Sequence, residues 1–231
     1  MYLEKIKDLK ISLPILNNEL NFEFMENIVA KLMTQRVTKL ENYLTISGLK
    51  DYELTEKELK AIKMIEHIEW QEYMFKDIFD TIKQGKRLKN ADQIPGNIAF
   101  VMSGVTNTGV TNYISNPVNH FPANSITIDI FGNTFYRNYK YSAGDDTGVY
   151  WSQKTRYTQN TMLFFATSAS KAIEGKYSYG NKLRSSRSKE IRMQIPIKNE
   201  RIDYYYMNTL ITAIKKLVIK DVVLYVDGKN G

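Results

Sequence analysis

The chain contains no cysteine, only two histidines and no apolar run of about 18 residues, the length that a membrane span needs. The lack of cysteine excludes disulfides, thiolate metal sites and cysteine nucleophiles, and it fits a reducing compartment. His67 and His120 lack the spacing of a metal site, so we expect no metal and no cofactor. The first residues alternate in charge and do not form a basic-then-apolar leader. These absences predict a soluble, cytoplasmic protein without a membrane partner.

What the chain does contain is an excess of positive charge in its middle. Residues 1–69 carry 10 Lys and Arg against 12 Asp and Glu, residues 70–190 carry 15 against 9, and residues 191–231 carry 7 against 4. A basic block between nearly neutral flanks favours a polyanion-binding surface, although a solvated basic face has the same composition. The 43% hydrophobic content is sufficient for a globular core.

One sequence pattern occurs twice. LPILNNELNFEFMENI begins at position 13 and IPIKNERIDYYYMNTL at position 195, and the two align without a gap at an offset of 182 residues. Each copy opens with a β-like run that contains a proline, which predicts an edge strand because proline cannot donate to a ladder. A polar turn and an N-cap residue, Asn21 or Asp203, then predict the start of a long helix. Equivalent positions include Pro14 and Pro196, Asn17 and Asn199, Phe24 and Tyr206, Met25 and Met207, and Ile28 and Leu210.

Each predicted helix carries one apolar stripe with steps of three and four residues, from Met25 to Leu44 and from Met207 to Tyr225. We expect the two stripes to pack as an antiparallel, coiled-coil-like pair with Leu32 and Leu217 in the seam. The alternative is that both helices lie on the central domain. A helix of about 24 residues is about 36 Å long, close to one turn of B-DNA at about 34 Å.

Other signals mark where these helices end and the next begins. Gly48 and Gly228 predict the two helix ends. Thr55 and Glu58 have the spacing of a capping box, which predicts a shorter connector helix that leads to Trp70.

From Trp70 to Glu190 the chain alternates β-like runs, NIAFVM, SITIDIF and MLFFAT, with turns rich in Gly, Asn, Asp and Pro. This texture predicts an α+β fold in which a mixed, mostly β domain is flanked by the two long helices. The predicted segments are a strand and turn that end a preceding repeat unit (1–20), the first long helix (21–48), the connector (49–69), the central domain (70–202) and the second long helix (203–231). An offset of 182 residues exceeds the roughly 20 to 50 residues of solenoid repeats, so the repeating unit is a whole domain, and we expect one such domain to be missing upstream.

The central block carries a series of motifs in a fixed order: FKDIFDTIKQGKRLKNADQIPGNIAFVMSGVTNTGVTNYI, SITIDIFGN, SAGDD and GKYSYGNKLRSSRSKEIRMQIPI. With the two helices they resemble, over residues 10 to 228, the specificity subunit of Type I and related restriction–modification systems, in a form with a single target-recognition domain. In that family two recognition domains alternate with two antiparallel spacer helices, and each domain reads half of a split DNA site. The resemblance implies a non-catalytic protein that binds double-stranded DNA and directs a methyltransferase subunit, and a restriction subunit, to its target. The missing first domain implies a homodimer or pairing with a second specificity polypeptide.

Two basic clusters and several polar loop residues are the candidate DNA contacts. Lys and Arg mixed with Ser and Asn suit phosphate contacts, arginine also pairs with guanine, and asparagine pairs with adenine. A solvated turn is the alternative for each cluster, as is a turn-forming role for each asparagine. The predicted DNA-binding residues are Lys86, Arg87, Lys89, Asn107, Thr108, Asn133, Tyr179, Asn181, Lys182, Arg184 and Arg187, and Lys83, Lys189 and Arg192 complete the clusters.

The signals for catalysis are weak. SNPVNHF from position 115 partly matches the Asn-Pro-Pro-aromatic motif of adenine methyltransferases, but Val118 replaces the second proline and no glycine-rich cofactor loop follows a strand. Asp145 and Asp146 suggest a nuclease metal site less strongly than they suggest a Gly-Asp-Asp turn before a strand. We therefore expect no catalytic residue. A fragment of a DNA methyltransferase or nuclease, and a scaffold that only binds protein through its helix pair, are the alternatives.

Overall fold

The structure, a computed structural model, describes residues 10–230, so the part of the predicted first segment in residues 1–9 lies outside the described residues. The fold is α+β, as predicted. In chain order, helices α1 to α6 are Phe22–Ile46, Glu56–Lys63, Phe75–Ile78, Gln159–Ile173, Ser185–Ser188 and Tyr204–Asn230. Strands β1 to β12 are Ile15–Leu16, Glu19–Leu20, Glu69–Met74, Thr81–Gln84, Pro95–Val101, Val110–Ile114, Ser125–Asp129, Thr134–Arg137, Tyr141–Ala143, Thr147–Trp151, Arg192–Lys198 and Arg201–Ile202.

The described chain forms two compact units. Residues 54–215 make the larger unit, and the remaining described residues make the smaller one. The predicted segment boundaries at residues 69 and 202 fall inside the larger unit, because α2 and the first turns of α6 contribute to its core. The side chains that they bury there are Ala61, Tyr206, Met207 and Leu210.

Three sheets build the larger unit. One is antiparallel with strand order β4-β10-β7-β8, and a second has the order β6-β5-β9, with β5 parallel to β9. In the third, β11 lies between β12 and β3. The prediction that MQIPI forms an edge strand is therefore wrong for the second copy of the repeat. Pro196 is accommodated because β12 pairs only with Ile197 and Lys198, and the Pro196 carbonyl accepts a hydrogen bond from Asp203 N at 2.9 Å.

Helix α4 replaces a predicted strand. The run MLFFAT lies inside Gln159–Ile173, where the Thr158 side chain caps the helix by accepting from Thr161 N at 3.1 Å. Its buried positions, among them Met162, Phe165, Ala169 and Ile173, step by three and four residues and pack into the core of the larger unit. The short apolar run has no decisive period of its own, so its β-like composition was misleading.

The repeat is structural as well as sequential. In the first copy β1 pairs with β2 through Ile15 and Leu20, and in the second β11 pairs with β12 through the equivalent Ile197 and Ile202. Both hairpin turns place two non-glycine residues at positive φ. The predicted N-caps are confirmed in both copies: Asn21 Oδ1 accepts from Phe24 N at 2.9 Å, and Asp203 Oδ1 accepts from Tyr206 N at 2.8 Å.

In the smaller unit, the second half of α1 packs against the end of α6. Val37 and Leu44 share a cluster with Val223 and Val226. The helices run antiparallel, because Val37 lines a cavity with Tyr225 and Lys229, whereas Asp51, just after α1, pairs with Lys216 at 2.9 Å. The predicted pairing is thus observed over half of its length.

Two predictions about the long helices were wrong: the residues of their seam and the end of α6. Leu32 and Leu217, expected in the seam, are 52% and 49% exposed. Helix α1 ends near Gly48, which has a φ of 67°, but α6 continues through Gly228 to Asn230, since one glycine inside a helix costs only about 1 kcal/mol.

The connector helix α2 begins as predicted but ends before Trp70, the residue to which it was expected to lead. Glu58 accepts from Thr55 N at 2.8 Å and Thr55 accepts from Glu58 N at 3.3 Å, so the capping box is confirmed. Helix α2 stops at Lys63, and Trp70 lies in β3. Within the described part of the chain, we find no helix with the length and apolar character required to cross a bilayer.

Candidate nucleic-acid interface

The turn at residues 144–146, between β9 and β10, is the point where the two basic segments meet, the first at residues 83–89 and the second at residues 181–192. The carbonyl oxygen of Asp145 accepts from Gln84 Nε2 at 3.0 Å and from Arg184 Nη1 at 2.8 Å. Gln84 Oε1 in turn accepts from Ser185 N at 3.0 Å. Gln84 therefore joins the end of β4, this turn and the start of α5, and holds the first basic segment beside the second.

The first basic segment follows β4 and lies close to the same turn. Lys86 N donates to the carbonyl of Ala143 at 2.9 Å. A Cβ at position 85 would lie 2.1 Å from the carbonyl oxygen of Gly144, so this approach requires Gly85. The side chains of Lys86, Arg87 and Lys89 are exposed beyond it, and Lys83 Nζ lies 5.8 Å from the ring centroid of Trp151.

The second basic segment is fixed to the core on both sides. Leu183 N donates to the carbonyl of Ile130 at 2.9 Å, and the buried hydroxyl of Tyr150 donates to Ser188 Oγ at 2.9 Å. Burial raises the pKa of Tyr150 far above its usual range, so this hydroxyl remains a donor at all physiological pH values. Between these anchors the side chains of Arg184 and Arg187 are exposed, and so is that of Lys189 just after α5. Arg192 instead lies in β11, 3.6 Å from Glu72.

A tight turn precedes this segment and carries Tyr179. Its ring is 81% exposed, and Lys182 Nζ lies 4.4 Å from its centroid. The amide of Asn181 donates to the carbonyl of Lys176 at 3.0 Å, within the turn. Tyr179 thus offers a flat face beside a cation, the combination on which nucleobases stack, whereas Asn181 shapes the turn.

The polar loop Ser103–Gly109 is hydrogen-bonded to the turn at residues 144–146. Ser103 N donates to Asp146 Oδ2 at 3.0 Å, and Gly104 N donates to Asp129 Oδ2 at 2.9 Å. Residues 105–108 are exposed. Asn107 therefore lies at the tip of a loop whose base is bonded to the framework that carries both basic segments.

Asp129 also organises the FGNTF turn. Its Oδ1 accepts from the backbone nitrogens of Phe131 and Asn133 at 2.8 and 2.9 Å, and its Oδ2 accepts from Asn133 Nδ2 at 2.8 Å. The half-buried Asn133 side chain is thus directed towards Asp129. Asn133 and Val105 line one surface cavity of about 390 Å³, which places this turn beside the polar loop.

Arg137 is a site residue that the sequence did not reveal. It is fully buried at the end of β8 and donates to Thr127 Oγ1 at 3.1 Å, to Thr108 Oγ1 at 3.0 Å, and to the Thr108 carbonyl. The only available signal was period two in TFYR, which places Arg137 on the same face as Phe135. Thr108, predicted to contact DNA, has its hydroxyl bonded to this arginine.

The residues of the weaker catalytic motifs have structural roles. Asn116 accepts from Ile94 N at 3.0 Å, and Asn119 accepts from Ala143 N at 3.0 Å. The carboxylate of Asp146 is bonded to Ser103 N, as described above. Across residues 10–230, no cluster of three or more metal-ligating side chains is arranged around a common point.

Residues 67–223 match the sequence model of the family described as the Type I restriction modification DNA specificity domain. The chain is 27% identical over 220 residues to the Type II restriction enzyme BgcI specificity subunit S.BcgI of Heyndrickxia coagulans. This match covers 93% of the chain and 60% of the relative, so the chain spans about three fifths of that relative's length.

The fold also has solved counterparts. The crystal structure of a Type-I restriction-modification system S subunit from M. genitalium superposes with a TM-score of 0.52 at 15% identity. The superposition covers 86% of this chain and 54% of the other. At this identity the likeness establishes the shared fold alone.

Proposed function

Because the chain belongs to the family of the Type I restriction modification DNA specificity domain, we propose that its larger unit recognises a defined sequence in double-stranded DNA. The protein is a non-catalytic specificity subunit that directs a methyltransferase subunit, and a restriction subunit, to a split target. The observation that carries the proposal is the convergence of both basic segments and the polar loop on the turn at residues 144–146. Access to chromosomal DNA requires that it act in the cytoplasm.

The proposed contacts divide into two classes. One class binds phosphates, and its arginines also reach guanine edges. It consists of the exposed cations Lys86, Arg87, Lys89, Arg184 and Arg187 and the half-exposed Lys182. Asn107 and Tyr179 address bases, whereas Thr108, Asn133 and Asn181 shape the loops that present them. The phosphate class supplies affinity and the base class supplies discrimination.

The test is the salt dependence of duplex DNA binding. The affinity should fall with salt with a slope of about −0.9 per neutralised phosphate. Replacing Arg184 and Arg187 with alanine should reduce that slope by about one for each phosphate that is no longer neutralised. The double variant Lys57→Ala, Lys60→Ala removes the same charge from α2 and should leave the slope unchanged. Equal effects of the two variants, or binding without salt dependence, would argue against the proposal.

A second expected result concerns catalytic activity on DNA. The chain alone should neither methylate nor cleave DNA, because its polar side chains near the interface are bonded into turns, as Asn119 and Asp146 are. Methyl transfer should require addition of a methyltransferase subunit. Methylation by the isolated chain would contradict the proposal and favour a methyltransferase fragment instead.

We further propose that a second copy of this chain covers an apolar face of the smaller unit. That face is formed by β1, β2 and the first half of α1, and its exposed side chains include Leu16, Leu20, Phe24 and Ile28. In the second copy of the repeat the positions equivalent to Phe24 and Ile28, Tyr206 and Leu210, are buried against the core of a recognition domain. The proposed occupant of the first face is thus the recognition domain of another chain, related by a two-fold axis that suits a palindromic split site.

Sedimentation tests this assembly. The protein should be dimeric at tens of micromolar, and Phe24→Glu should make it monomeric. Ile46→Glu, at a position that is 88% exposed in the same helix, should leave the dimer intact. A strict monomer would refute self-association, and a monomer that pairs only with a different specificity polypeptide would identify that polypeptide as the occupant.

A further inference from the structure

The polar loop Ser103–Gly109 is held in a costly conformation. Asn107 and Thr108 have φ values of 46° and 53°, in the left-handed region that asparagine tolerates but that a β-branched residue such as threonine rarely adopts. Such strain persists only where the surrounding structure enforces it, and it concentrates at functional sites. The loop is therefore fixed by its surroundings rather than by its own backbone preference.

A buried arginine fixes the second half of the loop. Arg137 is 1% exposed, and burial of a charge is unfavourable unless its polar atoms are hydrogen-bonded. Nη1 donates to Thr108 Oγ1 at 3.0 Å and to the hydroxyl of Tyr139 at 3.1 Å, Nη2 donates to the Thr108 carbonyl, and Nε donates to Thr127 Oγ1 at 3.1 Å. Thr127 and Tyr139 orient the guanidinium, and Thr108 accepts hydrogen bonds from it through its hydroxyl and its carbonyl.

Two carboxylates fix the first half of the same loop. Asp146 accepts from Ser103 N and Asp129 accepts from Gly104 N, at 3.0 and 2.9 Å. Asp129 simultaneously holds the FGNTF turn, and Asp146 accepts from Thr147 Oγ1 at 3.1 Å. Both ends of the loop are thus bonded to the sheet framework, while residues 105–107 between them are exposed.

We propose that Arg137, Asp129 and Asp146 are positioning residues that hold the Ser103–Gly109 loop in one conformation, in which Asn107 is a specificity-determining residue that reads an adenine. The proposal rests on the proposed function of DNA recognition. A carboxamide pairs with the N6 and N7 atoms of adenine only in a fixed orientation. The Asn107 side chain donates from Nδ2 to the Val110 carbonyl at a long 3.4 Å, so binding to a base exchanges a weak hydrogen bond for two good ones. Rigidity of the loop lowers the entropy cost of forming those bonds.

The decisive variant is Thr108→Gly. Glycine adopts the observed φ without strain and keeps the carbonyl that accepts from Arg137 Nη2, but it lacks the hydroxyl that accepts from Nη1. A positioned loop should therefore lose its discrimination at one base pair, whereas a loop whose conformation does not determine the target should enrich the wild-type motif. Asn107→Ala removes the proposed reader, and Arg137→Lys keeps the charge but not the planar fork. Asn199→Gly is the matched control, because Asn199 is an exposed residue with a φ of 51° in the turn between β11 and β12.

The full-length chain is incubated with a pool of duplex DNA that contains a randomised segment, and the bound duplexes are sequenced. Affinities are then measured for the most enriched duplex and for its scrambled version, together with the melting temperature of each variant. Wild type and Asn199→Gly should enrich the same motif. Asn107→Ala, Thr108→Gly and Arg137→Lys should lose about 5- to 150-fold of discrimination at one base pair, with unchanged affinity for the scrambled duplex.

The outcomes separate this inference from the proposed function. Folded Asn107→Ala and Thr108→Gly variants that enrich the wild-type motif unchanged would overturn the inference and leave DNA recognition standing. Should Arg137→Lys fail to fold, the exposed Thr108→Gly variant still decides the question. A wild-type chain that enriches no motif and binds duplex DNA without salt dependence would overturn both.

Discussion

Phe24 and Tyr206 occupy equivalent positions of the repeated unit, yet the side chain of Phe24 is 49% exposed and that of Tyr206 is 8% exposed. The hydroxyl of Tyr206 donates to the carbonyl of Ala61 at 3.1 Å, inside the larger unit. The same local sequence therefore supports a buried contact in one copy and a surface position in the other. What differs is the presence of a neighbouring domain, which makes the two copies natural controls for each other.

Truncation at equivalent positions should have unequal effects on stability. Leu210→Ala should lower the free energy of unfolding by about 2 to 5 kcal/mol, because it leaves a cavity in the core of the larger unit. Ile28→Ala, at the equivalent exposed position, should change it by about 0.5 kcal/mol or less in the monomer. Denaturant titration at a low protein concentration measures both. Equal losses would show that Ile28 is covered in the monomer.

A charge in the helix pair should act at Leu44 and not at Leu32. Leu44 is fully buried in the cluster with Val223 and Val226, so Leu44→Asp leaves an unpaired charge there and should cost about 3 to 5 kcal/mol. Leu32→Asp introduces the same charge on an exposed part of α1 and should preserve helicity and the melting temperature. Circular dichroism at increasing temperature checks both variants. Loss of helicity in Leu32→Asp would restore the longer seam expected from the sequence.

Gln84 offers a test of the interface that removes no charge. Gln84→Met keeps the side-chain length but loses the bonds to Asp145 and Ser185, each of which contributes about 1 kcal/mol. The two basic segments should then separate, which weakens duplex binding at every salt concentration. Because the cations are all retained, the slope of affinity against salt should stay the same. A steeper or shallower slope would mean that Gln84 itself changes the number of phosphate contacts.

Asp80 should make the stability of the larger unit depend on acid pH. Its carboxylate accepts from the backbone nitrogens of Gln153 and Lys154 and from the hydroxyls of Ser152 and Thr81. Desolvation raises its pKa, but these hydrogen bonds outweigh desolvation and hold the pKa well below its usual range.

The sign of that dependence follows from the lowered pKa. The unfolded chain binds a proton at Asp80 near the ordinary value of about 3.9, and the folded chain binds it only at lower pH. The stabilisation is therefore complete above about pH 5 and declines as the pH falls below about 3.9. Asp80→Asn should be less stable than wild type at pH 7, and the difference should shrink in acid. A difference that is constant from pH 7 to pH 3 would contradict the assignment.

Local signals in the sequence predicted local structure well. The N-caps at Asn21 and Asp203 and the capping box at Thr55 depend on contacts within four residues, and all three are confirmed. The repeat likewise predicted equivalent local structure in its two copies, and the hydrogen bond from Asn21 N to the Pro14 carbonyl recurs as that from Asp203 N to the Pro196 carbonyl. Each of these features is determined by neighbours along the chain.

The errors concern burial, which local sequence does not determine. The run MLFFAT is apolar enough for a strand or a helix, and its packing against β11 and β8 decided in favour of α4. Leu32 and Leu217 fit an apolar stripe, but α1 and α6 pack together through later residues of each helix, such as Val37 and Val223. Arg137 could not be identified from the sequence, because its acceptors, Thr108 and Thr127, are distant in sequence.

The anchors of the Ser103–Gly109 loop hold mainly main-chain atoms: two amides, at Ser103 and Gly104, and the carbonyl of Thr108. Every amino acid other than proline supplies the same main-chain groups, so side chains at positions 105 and 106 can be exchanged while the loop keeps its path, whereas the φ of 46° at position 107 favours asparagine, aspartate or glycine. Under the proposed function, the loop that presents Asn107 therefore tolerates changes of its exposed side chains at positions 105 and 106. A lineage whose protein acts as proposed can acquire a new target sequence by a few surface substitutions, without a new fold.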